Sequence, residues 1–144
     1  YDASLYQDTL NREKDNSALQ FYSTLERDYL SKIAMDRQLI IYRDVQMYVA
    51  DSPAYDVRFQ WGTIDYDYIH KINADVLVLS KQRLHDFTQE GAQERALDPD
   101  FASAYQFYKD ALAGTVTGYD LLYQDESGIA YVSAPLYKSF FATK

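Results

Sequence analysis

Ala74-Asp75-Val76-Leu77-Val78-Leu79-Ser80 is a short, nearly continuous apolar run with β-branched residues at its centre. It is long enough for a strand and too short for a helix of its own. A strand apolar on both faces must be covered on both faces, which predicts an interior strand with helices above and below.

The pattern before this run is first helical. Asp15-Asn16-Ser17 supplies capping side chains, and Ala18, Phe21, Tyr22, Leu25, Tyr29 and Ile33 recur at spacings of three and four. That spacing places them on one helix face. A shorter helix is expected over Leu5 to Arg12, so that residues 1–35 form a helical N-terminal segment suited to link the chain to an upstream domain. The period then changes. Leu39 to Tyr42 reads as a buried strand ending at Arg43-Asp44, and Gln46 to Val49 as a short second one. Asp51-Ser52-Pro53 is a turn. Tyr55 to Trp61 alternates apolar with polar, as a half-exposed strand does.

After Gly62, Thr63 is expected to cap a helix over Ile64 to Lys71, with Asp65 and Asp67 near its positive N-terminal end. Ser80 reads as the N-cap of helical turns over Lys81 to Phe87. Thr88 to Leu97 is polar, contains Gly91 and is expected to be a mobile surface loop. Asp98 as N-cap, Pro99 at the first helical position and Gly114 after the end bound the next helix. Its buried face comprises Phe101, Ala104, Tyr105, Tyr108, Ala111 and Leu112. Tyr119–Tyr123 and Ile129–Val132 then flank a turn with Gly128 near its end, a hairpin, and Pro135 stops the second strand. These elements predict one α/β domain over residues 1–144. It has three layers: a mixed, mostly parallel sheet of about five strands with helices on both faces, and a C-terminal β-hairpin.

Composition narrows the chemistry. The 144 residues carry a formal net charge of −8, with 22 acidic against 14 basic side chains. Such a surface repels phosphate backbones, so nucleic acid is not an expected partner. No stretch approaches the ~20 apolar residues of a bilayer span. Cysteine is absent, which removes disulfides and thiolate chemistry. His70 and His85 belong to no ligand-spaced cluster, and neither G-x-G-x-x-G nor a Walker-type loop is present. No metal or other cofactor is therefore expected. The 15 tyrosines suit sugar faces, interfaces or the wet edge of a core.

The densest polar-aromatic cluster is Trp61-Gly62-Thr63-Ile64-Asp65-Tyr66-Asp67-Tyr68, where a strand hands over to a helix. Ligands gather at such strand ends in open α/β sheets. Trp61, Asp65, Tyr66 and Tyr68 are candidate ligand-binding residues, with Arg43 and Asp44 at the end of the first strand facing the same crevice. The same residues also fit a helix N-terminus with aromatics packed inward, and Arg43-Asp44 an ordinary salt bridge. Asp65 and Asp67, two apart on a helix, point in different directions. Glycosidases need facing carboxylates about 5–10 Å apart. A hydrolase built on Asp65, Asp67 or Glu126 is therefore disfavoured, and no catalytic residue is assigned.

Several short strings resemble one family. Asp36 to Asp44 with Tyr48-Val49 looks like a K-I-x-x-D-x-x-x-Y-V-P strand. Val57 to Gly62, then Tyr66 to Ile69, resembles a W-G-x-x-x-x-Y-I segment, and Asn73 to Lys81 resembles K-P-D-x-I-V-L-S-K. Phe107-Tyr108-Lys109, Gly118 to Asp125 and Gly128 to Val132 resemble the family's closing hairpin. Ala74 and Ala50 stand where that pattern has Pro. Together, over most of residues 16–133, the chain resembles the C-terminal soluble domain of bacterial multi-span membrane glycosyltransferases. These are polyprenyl-phosphate-sugar-dependent, protein-mannosyltransferase-like proteins of the GT-C type.

The resemblance implies an extracytoplasmic domain, tethered by a transmembrane region that the chain itself lacks. The beginning at Tyr1 rather than Met fits such an excised piece. In that family the catalytic acidic residues lie in loops of the membrane part, so they carry over to no position here. The expected function is a non-catalytic accessory domain. Its partners are the transmembrane part of the same protein and the glycan or acceptor. The competing expectation is an independent extracytoplasmic ligand-binding or sensor domain, with the N-terminal helix as a signalling connector and 88–97 closing a pocket.

Overall fold

The computed structural model describes residues 16–35, 37–60, 62–89 and 99–142. Helix α1 runs over 16–34 and contains one π-helical stretch, Glu26–Leu30. Strand β1 (Leu39–Arg43) and strand β2 (Tyr55–Arg58) precede helix α2 (Tyr66–Lys71). Strand β3 (Val76–Ser80) leads into helix α3 (Lys81–Thr88), and helix α4 (Pro99–Ala113) follows. Strands β4 (Tyr119–Gln124) and β5 (Gly128–Ser133) form the hairpin, and helix α5 (Ala134–Phe140) comes last.

The five strands make one mixed sheet in the order β2-β1-β3-β5-β4. β1 runs parallel to both β2 and β3, whereas β5 runs antiparallel to β3 and β4. The apolar run of the sequence is the middle strand, and all five of its residues are buried. Alternation sends Val76 and Val78 to one face and Leu77 and Leu79 to the other. The first face packs against α1 and α5 through Phe21, Leu25, Ile33, Leu39, Ile41, Ala130, Val132 and Leu136. The second packs against α2, α3 and α4 through Tyr42, Ile69, Leu84, Phe107, Tyr108 and Tyr131. Each fully buried Leu or Ile contributes about 1.5–3 kcal/mol, so both layers are needed to hold so short a strand.

Four expectations change. Residues 46–49 are not a strand. They belong to the connection from β1 to β2, in which buried Met47 and Val49 alternate with exposed Gln46 and Tyr48. A loop pinned to a core at every second residue copies the strand pattern. The strand expected over 55–61 ends at Arg58, the last residue in register with β1. The cap of α2 is Asp65 rather than Thr63, because the Asp65 carboxylate accepts the Tyr68 N–H at 2.9 Å. Pro135 not only ends the sheet but sits in the first turn of α5, where its missing N–H costs nothing. Leu136 then anchors that helix to the core. The helix over Leu5–Arg12, the Asp98 cap and most of the loop Thr88–Leu97 lie outside the described residues.

Candidate functional site

The chain leaves the carboxyl ends of β1 and β3 in opposite directions. From β1, the 44–54 connection crosses the α1 face to reach β2. From β3, the chain enters α3 and α4 on the other face before returning to β4 and β5. Ligands of open α/β sheets bind where adjacent strand ends diverge in this way. Such a cleft is present here, with a volume of about 650 Å³.

Its floor is held by Asp44, which is fully buried. The carboxylate accepts the Ser80 N–H at 2.8 Å and the Tyr42 hydroxyl at 3.2 Å, and Arg83 lies 3.7 Å away. The Asp44 N–H in turn donates to the Val78 carbonyl at 2.9 Å, so the ends of β1 and β3 are tied in both directions. Burial pushes the Asp44 carboxyl above its ordinary pKa, only partly offset by Ser80, Arg83 and Tyr42. Burial and the neighbouring Asp44 charge also raise the pKa of the Tyr42 hydroxyl.

Ser80 connects this floor to the cleft. Its Oγ accepts the Arg83 N–H at 3.3 Å, capping α3 as the sequence predicts, and donates to Gln46 Oε1 at 2.9 Å. Gln46 is thereby fixed with its carbonyl oxygen inward, which leaves its amide N–H donors for the cleft. Ala18 and Met47 give one wall an apolar lining, and Lys81, Gln82 and His85 of α3 form the other. The β4–β5 turn closes the rim with Glu126 and Ser127. That turn is rigid. Asp125 Oδ1 accepts from the Ser127 N–H at 2.7 Å, the Ser127 hydroxyl at 2.8 Å and the Gly128 N–H at 3.1 Å. The Ser127 carbonyl accepts the Lys81 N–H at 3.1 Å.

Replacing Ser80 by Ala removes the cap and the Gln46 anchor together. The expected cost is ~1 kcal/mol, within the usual range for a lost cap. Urea unfolding measures it, and an unchanged midpoint would show that neither contact matters.

None of the described residues proposed from sequence for ligand binding lines this cleft. Trp61 lies outside the described residues. Asp65 caps α2 and accepts the Ser103 hydroxyl at 2.9 Å. The Tyr66 hydroxyl donates to Asp110 at 2.7 Å, and its ring meets Phe107 edge-on. Tyr68 packs edge-on against Tyr42. The Arg43 guanidinium sits 4.8 Å from the Phe59 ring centroid and donates to backbone carbonyls of Asp44 and Met47. Asp44 has Arg83, not its neighbour Arg43, as its ion partner. Consecutive residues at a strand end point to opposite faces, which separates the two charges. Of the carboxylates considered for hydrolysis, Glu126 lines the cleft and Asp65 and Asp67 do not. No periodic pattern marks Gln46, Lys81, Gln82 or Ser127. Their one signal is position, directly after a strand or in the hairpin turn.

Among the described residues, no group of three or more His, Asp or Glu side chains is placed to hold a metal ion. Among the same residues, no helix is long and apolar enough to cross a membrane. The chain matches no protein-family model, no curated protein and no solved structure.

Proposed function

We propose that this chain is a non-catalytic, extracytoplasmic binding domain that accompanies a membrane glycosyltransferase and contacts its glycan or acceptor. The observation that carries the binding part is the cleft of about 650 Å³ between the diverging ends of β1 and β3. Its volume falls within the range of small-molecule sites, roughly 300–1,000 Å³. Its rim carries amide, hydroxyl, ammonium, imidazole and carboxylate groups over an apolar wall. This mixture suits a hydroxylated ligand, which offers donors and acceptors on its edges and C–H surface on its faces. The motif resemblance in 16–133 supports the link to a glycosyltransferase, with the transmembrane part of the same protein as the tether.

A second reading draws on a separate observation: Ser17 and Ala18 of α1 line the cleft. In a sensor, a ligand there would bear directly on the connector helix.

The test is a titration of the ¹⁵N-labelled chain with an α-linked mannose disaccharide and with a Ser/Thr-rich acceptor peptide. Amide shifts confined to Gln46, Lys81, Gln82 and Ser127 are the expected result. Shifts centred on Tyr66 and Tyr68, or no saturable shift with either probe, would overturn the assignment of the cleft.

A further inference from the structure

Within the cleft, Lys81 and His85 stand one helical turn apart on α3 and line the same wall. Residues at this spacing are neighbours on a helix surface. Neither makes an ion pair with a carboxylate among the described residues, although acidic side chains outnumber basic ones by 22 to 14. The ion pairs among the described residues are made by arginines, Arg27, Arg37, Arg58 and Arg83, so Lys81 and His85 share their unpaired state with the other described lysines and with His70, and differ from them in lining the cleft. Gln46, its oxygen held by Ser80, adds N–H donors beside them. Glu126 stands on the rim, where it can accept hydroxyl protons.

Resting on the binding-domain reading above, we infer that the cleft takes a carbohydrate carrying a carboxylate, with the acidic group against Lys81 and His85 and the hydroxyls toward Glu126 and Gln46. A carboxylate presents two oxygens, which one ammonium and one imidazole N–H can serve. Phosphate sites more often add Arg forks or glycine-rich loops of backbone N–H groups to a lysine. Neither feature is found among the described residues that line this cleft. The apolar wall of Ala18 and Met47 accepts the C–H face of the ring.

The experiment is a titration of the ¹⁵N-labelled chain with glucuronate, glucose 6-phosphate and glucose, repeated on Lys81→Gln and His85→Gln. Both positions are partly or fully exposed, so these variants keep the fold, and Lys71→Gln, at the far end of α2, is the control. Glucuronate is expected to bind about tenfold or more tighter than glucose, the usual worth of one charge-assisted hydrogen bond. Lys81→Gln should bring it down to the level of glucose, and Lys71→Gln should leave it unchanged. Equal cleft binding of glucuronate and glucose would overturn this inference while leaving the binding-domain reading intact. So would tighter binding of glucose 6-phosphate, or a glucuronate affinity unmoved by both cleft variants. Absence of cleft shifts with all three sugars, as well as with the disaccharide and peptide, would overturn both.

Discussion

Asp44→Ala is expected to be the most damaging single substitution at the candidate site, costing about 3–5 kcal/mol, the range for breaking a buried ion pair from one side. The carboxylate is fully buried and serves three groups at once: the Ser80 N–H, the Tyr42 hydroxyl and the Arg83 guanidinium. Truncation strips the buried Ser80 N–H and Tyr42 hydroxyl of their acceptor, and the desolvation cost of those groups is not recovered. It also takes away the carboxylate that offsets the Arg83 charge. Asp44→Asn keeps the shape and one acceptor oxygen, so its loss should be clearly smaller. Urea unfolding followed by tyrosine fluorescence would measure both. Equal losses for Ala and Asn would mean that the negative charge facing Arg83, not the shape or a single acceptor oxygen, holds this corner.

The same pair of proteins reports the protonation of Asp44. Burial raises its folded-state pKa above the ordinary 3.8. The folded state then holds a proton that the unfolded state has already released. On this account stability is fullest below the unfolded value, and it is lost as pH rises from near 3.8 through the folded pKa. Asn at this position has no such titration. The stability advantage of the natural chain over Asp44→Asn should therefore grow as pH falls through that window. A shrinking advantage would show that Arg83 and the Ser80 N–H outweigh burial.

The sequence makes the fold more legible than the site, for a physical reason. β3 announces itself because both its faces are buried, which leaves no polar position to confuse the period. α4 is marked by Pro99 at its start and by Gly114, at φ +85°, just past its end. Both are local backbone requirements. The pattern fails at 46–49, where a loop anchored by Met47 and Val49 imitates a strand. It fails again at α5, whose seven residues carry at the second position a proline that also reads as a stop. The cleft is harder still. Ser80 and Asp44 are visible as strand ends, yet the walls come from α1, the 44–54 connection, α3 and the hairpin turn. The Ser127 hydroxyl reaches the Ser17 carbonyl across 110 positions of sequence. No window of local pattern spans that distance. Conversely, the conspicuous cluster at 61–68 is dense because α2 needs a capping Asp65 and because Tyr66 and Tyr68 pack against α4 and β1.

Gly128→Val should be the second most damaging change, at or above the upper end of the ~1–3 kcal/mol typical of overpacking. Gly128 is buried at the start of β5, opposite Ser80. Its φ is not among the positive ones, so what it needs is space rather than backbone freedom. A Cβ there would lie 2.5 Å from Met47 Cε, 3.1 Å from the Leu79 carbonyl oxygen and 3.3 Å from Phe21 Cδ2. The methionine tip can swing aside. The Leu79 carbonyl belongs to the central strand and cannot. Gly128→Ala should thus be a partial loss that Met47→Ala relieves, whereas valine, with two further methyl groups, also presses on Leu79 and Phe21. A double-mutant cycle should give a favourable coupling of more than about 0.5 kcal/mol between Met47→Ala and Gly128→Ala, beyond the error expected for independent sites. Because Met47 lines the cleft, the displaced side chain should also shift the Gln46 amide resonance in the Gly128→Ala variant. If valine is tolerated within about 0.5 kcal/mol, as at an ordinary surface position, then α1 and the 44–54 connection do not close over β5 as tightly as these distances require.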